Sequence, residues 1–332
     1  MNLPAAIALV PAAHFCTLRR MEPEQALLEL HHCFEKVDAV PHDAKTTEFK
    51  RRARLHQALW REKRDLPRGT EPYRPTKKRP RRPSGSRLEI ESAWTSGSNF
   101  LSDAALKAVE YRLGHAEPKQ MLDKDRLYAD LLSSMPMCFN LFGPLWEDNE
   151  ACKRAVSAWW PDAPSAAKEV RFEWSPGRGE ADKFIENRSA FDAAIILENG
   201  GIIGIETKYH EHLKAEKMPN AERLARYRLI SEQSGVFLPG ALEKLEGTPL
   251  QQIWQDHLLT LSTVLQSDFE CSWAKFILIY PQANLSFAKG AAEYKELLKD
   301  SSTFEARTIE SLLEEMPLNA AAIETFRERY LF

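Results

Sequence analysis

Phe191-Asp192-Ala193-Ala194-Ile195-Ile196-Leu197-Glu198-Asn199-Gly200-Gly201-Ile202-Ile203-Gly204-Ile205-Glu206-Thr207-Lys208-Tyr209 is the stretch that decides the fold of this chain. Two short β-branched runs, 193–197 and 202–205, flank Asn199-Gly200-Gly201, which supplies the positive φ a tight hairpin turn requires. The stretch therefore predicts two antiparallel strands. Alternate side chains of a strand share a face, so Glu206 and Lys208 point the same way, roughly 7 Å apart at a rise of ~3.3 Å per residue. Asp192 opens the partner strand and can reach them both.

Two carboxylates and an amine gathered this way suit metal-assisted phosphodiester hydrolysis. Mg²⁺ takes hard oxygen ligands and keeps several of its waters, so Asp192 and Glu206 could hold it with positions left for a substrate phosphate and a nucleophile. A neighbouring lysine can orient or deprotonate the attacking water, or offset charge that builds on the phosphorane; Lys208 fits that role. The competing reading is a solvated strand face carrying a weak Glu–Lys pair. Against it stands the apolar character of both strands, where unpaired charge is expensive.

Asp192, thirteen intervening residues and then Glu206-Thr207-Lys208 resemble the signature of the PD-(D/E)XK nuclease superfamily. The flanking Ser189-Ala190-Phe191 and Tyr209-His210-Glu211 resemble one bacterial branch of restriction-endonuclease-like proteins, and the likeness runs from about Phe49 onward. One departure is Phe191, which stands where the signature has proline. The resemblance implies an α/β fold, a restriction-endonuclease-like mixed sheet flanked by helices, here with a helical and basic N-terminal extension. It also implies catalysis by Asp192, Glu206 and Lys208, with metal on Asp192 and Glu206. Mg²⁺ is the expected cofactor and Mn²⁺ the substitute.

The order of elements agrees with that core. Residues 125–142 read as a helix, Glu169 to Trp174 as a first strand, Pro249 to Gln266 as a long helix, and Lys275 to Pro281 as a buried strand. Members of the superfamily often add an acid from the first core helix or strand. Glu147, Glu169 and Glu173 are candidates, and Glu173 is preferred as a third metal ligand because its neighbours are apolar and aromatic. The helix 250–257 resembles one that borders the site in related families. Its Gln252 and His257 lie about a turn and a half apart and need not share a face. His210 and His212 are candidates for the edge of a phosphate or metal site.

The net charge of −3 hides a segregation. Between Lys50 and Arg87, 15 basic residues stand against Glu62, Asp65 and Glu71, a net of +12 that leaves −15 for the remainder. Charge concentrated in this way is a footprint for a polyanion. Pro23 to Val37 predicts an amphipathic helix and Thr47 to Lys63 a second, strongly basic one, with Leu55, Leu59 and Trp60 on its apolar side. Five prolines between Leu66 and Arg87 then predict an extended linker, with Lys77, Lys78, Arg79, Arg81 and Arg82 as candidates for contact with nucleic-acid phosphate. The expected organisation is a leader and amphipathic helix over 1–48, a basic helix and Pro-rich linker over 49–88, and the nuclease-like domain over 89–332.

Composition bounds the remaining classes. Residues 3–13 are apolar but contain two prolines with no basic residue ahead of them, and no run reaches the 18 residues of a membrane span, so the expectation is a cytoplasmic protein without membrane contact. Cys16, Cys33, Cys138, Cys152 and Cys271 are odd in number and scattered, which predicts neither a disulfide framework nor a zinc site. No Walker loop, dinucleotide fingerprint or GxSxG elbow is present. The expected activity is a Mg²⁺-dependent endonuclease on double-stranded DNA, restriction or defence related, with a homodimer as one way to cut both strands. The alternatives are a catalytically silent DNA-binding or interaction module, or a repair, recombination or transposon-end nuclease.

Overall fold

A computed structural model of the chain describes residues 25–33, 44–72, 80–117, 120, 122–178, 180–187, 189–267 and 269–332. In chain order the helices and strands are α1 (Gln25–Leu30), α2 (Ala44–Lys63), β1 (Arg68–Thr70), β2 (Pro83–Leu88), α3 (Ile90–Ser96), α4 (Asp103–Gly114), α5 (Lys124–Ala129), α6 (Ser134–Glu147), α7 (Asn149–Trp159), β3 (Ala167–Trp174), β4 (Phe191–Leu197) and β5 (Ile202–Thr207). They continue as α8 (Ala221–Ser234), α9 (Gln251–Leu265), β6 (Ala274–Tyr280), α10 (Leu285–Lys295), β7 (Phe304–Thr308), α11 (Ile309–Glu314) and α12 (Ala320–Tyr330).

The central sheet has the order β3-β4-β5-β6-β7. β3, β4 and β5 form an antiparallel meander, while β5, β6 and β7 run parallel. Parallel strands need crossover connections, which α8–α9 and α10 supply. Helices cover both faces, and β5 and β6 are buried along their whole length, as their unbroken apolar runs require. One core lies under α6 and α7 and takes Ile195, Ile203, Ile205, Ile277 and Ile279 from the sheet. The other lies under α9 and takes Phe191, Phe276 and Leu278. This is the mixed α/β architecture of a restriction-endonuclease-like fold.

The hairpin turns as its sequence predicts. Gly200 carries φ of 82°, and a Cβ there would sit 2.4 Å from the Glu270 carbonyl oxygen, so the position excludes any side chain. The residues 125–142 are not one helix. Asp130 leaves helical geometry, its Oδ1 accepting the Leu132 amide at 3.0 Å and its Oδ2 pairing with Arg87 at 2.8 Å, and Ser133 then caps α6. The helix expected from Pro23 is observed as α1. It ends at a left-handed His32 (φ 56°), where the Cys33 amide reaches Leu28 O at 2.7 Å and the His32 amide reaches Glu29 O at 3.0 Å. That pair of bonds is a Schellman stop. Pro23 and residues 34–37 lie outside the described residues.

The expected linker over 66–87 is in part a ladder: β1 and β2 pair antiparallel through Arg68–Leu88 and Thr70–Pro83. Pro83 is tolerated because it opens its strand, where a missing amide interrupts little. Arg61 Nε donates to the Gly85 carbonyl at 3.0 Å, which ties β2 to α2. The basic helix itself is far from solvated, since Lys50, Arg54 and Arg61 are all buried. Its Gln57 Nε2 donates both to the Tyr209 hydroxyl and to the Arg329 carbonyl, each at 2.7 Å, so α2, the strand end after β5 and α12 meet at one amide. Cys33, Cys138, Cys152 and Cys271 are buried free thiols. No helix among the described residues is long and apolar enough to cross a membrane.

Candidate active site

Strand register assembles the acidic cluster. The pairs Phe172–Ala193 and Trp174–Phe191 bracket Glu173 and Asp192, and the next step beyond Ala193–Ile205 sets Asp192 beside Glu206. Glu173, Asp192 and Glu206 therefore form a lateral row across β3, β4 and β5. Glu206 and Lys208 are each 8% exposed, and Lys208 Nζ donates to Glu206 Oε1 at 2.6 Å. Asp192 Oδ2 accepts from the Thr207 amide at 2.8 Å and from the Thr207 hydroxyl at 2.7 Å. Those bonds aim the carboxylate toward the end of β5.

Helix α9 closes the row from above. Gln252 Nε2 approaches Glu206 Oε1 at 3.4 Å, and Asp256, one turn further on, presents a second buried carboxylate to Lys208 and Asp192. His257 faces elsewhere, with Nδ1 2.9 Å from the Tyr294 hydroxyl and Nε2 3.0 Å from Thr303 Oγ1, so it packs rather than serving the cluster. His210 is likewise engaged, with Nδ1 2.7 Å from the Leu132 carbonyl. Of the three acids weighed for a third position, Glu147 pairs with Lys107 and Glu169 with Arg171 at the surface. Glu173 belongs to the cluster by its register beside Asp192.

Glu173 also carries a left-handed backbone, with φ of 48°, unusual for a non-glycine residue. Its carbonyl is held there by Arg178 Nη2 at 2.7 Å, Gln120 Nε2 at 3.2 Å and Arg112 Nη2 at 3.5 Å. Such strain persists where surrounding groups fix it, and it concentrates at functional sites.

Two buried acids, Glu206 and Asp256, and two half-buried ones, Asp192 and Glu173, share the site with a single lysine. Burial, and then the Asp192 charge, lifts Glu173 to about 8. Burial lifts Asp256 to about 7, with Lys208 opposing and Asp192 adding. Burial raises Asp192 and, together with Asp192, pushes Glu206 well above the usual carboxylate range. Lys208 moves the other way from a buried amine: burial pulls it down, but Glu206, Glu211, Asp192 and Asp256 outweigh that and hold it above its ordinary value. An excess of buried negative charge is what a divalent cation neutralises. Glu206 is turned to Lys208, and among the described residues no three His, Cys, Asp or Glu side chains converge into a ready-made metal cage. The donor set still fits a hard cation that keeps its waters, because Asp192 and Glu206 each leave one oxygen without a protein donor among the described residues.

A family model described as the PD-(D/E)XK nuclease superfamily matches residues 42–332. The chain belongs to that superfamily. Comparison with curated proteins and with solved structures gives no significant match. Superfamily membership makes the chain a nuclease by descent, with DNA as the implied substrate and divalent metal ions as the general cofactor. The matched span takes in α2, β1 and β2, so the family likeness reaches into the basic segment.

The sequence singled out Asp192, Glu206, Lys208 and Glu173 and left Gln252 and His257 open between site and packing; the structure brings the four together with Gln252, while His257 packs. Sequence reasoning missed Asp256, which lies inside the quoted helix at a one-turn spacing from Gln252, a signal that could have found it. Of the five proposed phosphate contacts, Lys77, Lys78 and Arg79 lie outside the described residues. Arg81 is exposed, and Arg82 donates to Glu71 Oε1 at 3.0 and 2.9 Å.

Proposed function

We propose that the protein is a divalent-metal-dependent endonuclease that hydrolyses phosphodiester bonds of double-stranded DNA. The observation that carries this reading is the lateral row of Glu173, Asp192 and Glu206 with Lys208 bonded to its end. Asp192 and Glu206 are the metal ligands and Glu173 the third acid, with Mg²⁺ the expected ion and Mn²⁺ its substitute. A bound divalent ion polarises a phosphoryl oxygen and lowers the pKa of a coordinated water. Asp192, fixed by two bonds from Thr207, and Glu206, fixed by Lys208, present their remaining oxygens without rearrangement.

Lys208 is held charged by its four acidic neighbours. In that state it orients the attacking water and stabilises charge that develops on the phosphorane, rather than acting as the base. Water adds to phosphorus in line with the 3′ oxygen as the P–O3′ bond breaks; the water gives up one proton to solvent and the departing 3′ oxygen takes one from solvent. The products are a 5′-phosphate and a 3′-hydroxyl. The resemblance of Ser189-Ala190-Phe191 and Tyr209-His210-Glu211 to a bacterial restriction-endonuclease-like branch supports a restriction or defence role in the cytoplasm. Retention of the complete Asp, Glu and Lys set argues against a silent binding module.

The test is incubation of purified protein with supercoiled plasmid, linear duplex and single strands in Mg²⁺, Mn²⁺ or chelator. We expect metal-dependent cutting of duplex that is lost in Asp192→Ala and Glu206→Ala. Wild-type cutting by either variant, with contaminating nuclease excluded, sinks the site assignment.

A further inference from the structure

Beside the acidic row lies a cavity of roughly 280 Å³, with Lys208 and Gln252 on one side and Lys50, Glu211, His212 and Lys214 around the rest. It is far larger than the roughly 10–15 Å³ that a single water requires. The loop that forms its floor is fixed, because Asn284 Nδ2 donates to the Tyr209 carbonyl at 3.0 Å and to the Glu211 carbonyl at 2.9 Å. Ser286 Oγ accepts from the Leu213 amide at 3.0 Å. The space is therefore built into the fold.

Lys50 is the unusual member. It reaches the cavity from α2, in the basic segment, and it is 7% exposed. Among the described residues its ammonium has neither an ion pair nor a hydrogen bond; the stem is buried and the charged end opens onto the cavity. Two acids, Glu211 and Glu216, also line the cavity, and neither forms an ion pair with Lys50 among the described residues. Glu211 Oε1 accepts from Ser134 Oγ at 2.9 Å and its Oε2 from the Tyr209 amide at 2.7 Å, so that carboxylate is committed elsewhere. Lys214 stands exposed at the mouth. Two cations from separate elements thus line a space that opens beside Lys208.

We infer that this cavity is a phosphate subsite, in which Lys50 and Lys214 grip a phosphate group of the nucleic-acid substrate next to the phosphodiester that is cut. The inference rests on the nuclease reading and deepens it. A phosphate oxygen supplies the acceptor that Lys50 lacks, and a charge-assisted bond in a partly dry site is stronger than one at the surface. The subsite gives the N-terminal helix a direct part in substrate placement. A phosphate fixed one step away sets the register of the scissile group over Asp192 and Glu206.

The test uses the full chain in chelator, with inorganic phosphate titrated calorimetrically into wild type, Lys50→Met, Lys50→Arg and Lys214→Met. We expect binding by wild type, a loss of about tenfold or more in Lys50→Met, partial recovery in Lys50→Arg and a smaller loss in Lys214→Met. Fluorescence anisotropy in Ca²⁺ then compares 5′-phosphorylated duplex, 5′-hydroxyl duplex and closed circles as competitors. A Lys50→Met defect confined to phosphorylated ends identifies a terminal phosphate as the occupant. A defect on all three, with a salt slope flatter by about 0.9, identifies an internal phosphodiester. Equal affinities of wild type, Lys50→Met and Lys214→Met for phosphate and for every duplex overturn the inference. Should Lys50→Met fail to fold, Lys50→Arg and Lys214→Met carry the comparison. A wild-type protein that binds phosphate but cuts no DNA in any metal refutes the nuclease reading instead, because the titrations do not depend on cleavage.

Discussion

Replacing Asp256 with asparagine should stabilise the metal-free protein, by an amount that grows with pH. Burial lifts this carboxyl from 3.8 to about 7, a displacement of about three units in which Asp192 adds and Lys208 opposes. Below pH 3.8 the group is protonated in both folded and unfolded chains and contributes nothing. Between 3.8 and 7 the unfolded chain releases a proton that the native state keeps, so stability falls by about 1.36 kcal/mol per pH unit. Above 7 the loss reaches a ceiling of about 4 kcal/mol. Asparagine never ionises, so its advantage over the wild type should be near zero at pH 4 and plateau by pH 8. Urea unfolding in chelator across that range, with both proteins compared at each pH, measures the difference directly. A gap that does not change with pH would refute the reasoning, as would a variant less stable than wild type at pH 8. Adding Mg²⁺ should narrow the gap, because an ion that binds the native cluster stabilises the wild type by mass action.

Gly204→Ala should destabilise the fold by about 1–3 kcal/mol, since the new methyl would sit 2.5 Å from Cε1 and 2.7 Å from Cζ of the buried Phe191 ring. The displaced ring adjoins Asp192, so cleavage should fall too; unchanged urea midpoints would mean that the ring has room to move. Glu211→Gln should cost up to about 3 kcal/mol at pH 7, because His210, Lys208 and main-chain donors outweigh burial and hold that carboxyl at about 2. That contribution is present above the unfolded pKa and is lost as pH falls from about 4.5 through 2, so acid titration of both proteins should show the gap closing. Lys208→Met should slow cleavage by about 10²–10³-fold with divalent-ion affinity retained, and Lys208→Arg should recover part of the rate, since a charged donor remains. Metal titration and single-turnover rates separate these outcomes; lost affinity with an intact rate would make Lys208 structural.

The hairpin, the first strand and the acidic row were legible because strand periodicity is local: once Ile202, Ile203 and Ile205 set the faces, Glu206 and Lys208 follow. Asp256 was legible only through its one-turn spacing from Gln252, because nothing in residues 191–209 states how a helix some fifty positions later docks over them. Charge counting is incomplete for a related reason. A tally between Lys50 and Arg87 treats every cation as solvated, yet Arg61 caps a carbonyl of β2, Arg87 holds Asp130 and Lys50 faces a cavity. The prolines of the same segment hid a short ladder, since in sequence Pro83 at a strand start looks no different from its neighbouring prolines. Residues 125–142 read as one helix because apolar spacing continues through Leu131 and Leu132, while the break is made by the carboxylate of Asp130 bonding its own backbone.

Gln57 bears on the order in which the molecule acquires its parts. Its amide joins Tyr209, 152 positions away, to Arg329, 272 positions away, and a buried amide deprived of its acceptors costs about 1–3 kcal/mol. Loops of that length close slowly, and contacts so distant in sequence form after helices and the hairpin. Tyr209 follows Lys208 directly, so the chain beside that ammonium is fully anchored only when α2 and α12 have met. During refolding, helical circular dichroism should recover before hydrolytic activity does. On the proposed nuclease reading, a chain caught part-way would have its sheet and its acids without the anchored strand end beside Lys208, and would leave DNA uncut until its long-range contacts are complete.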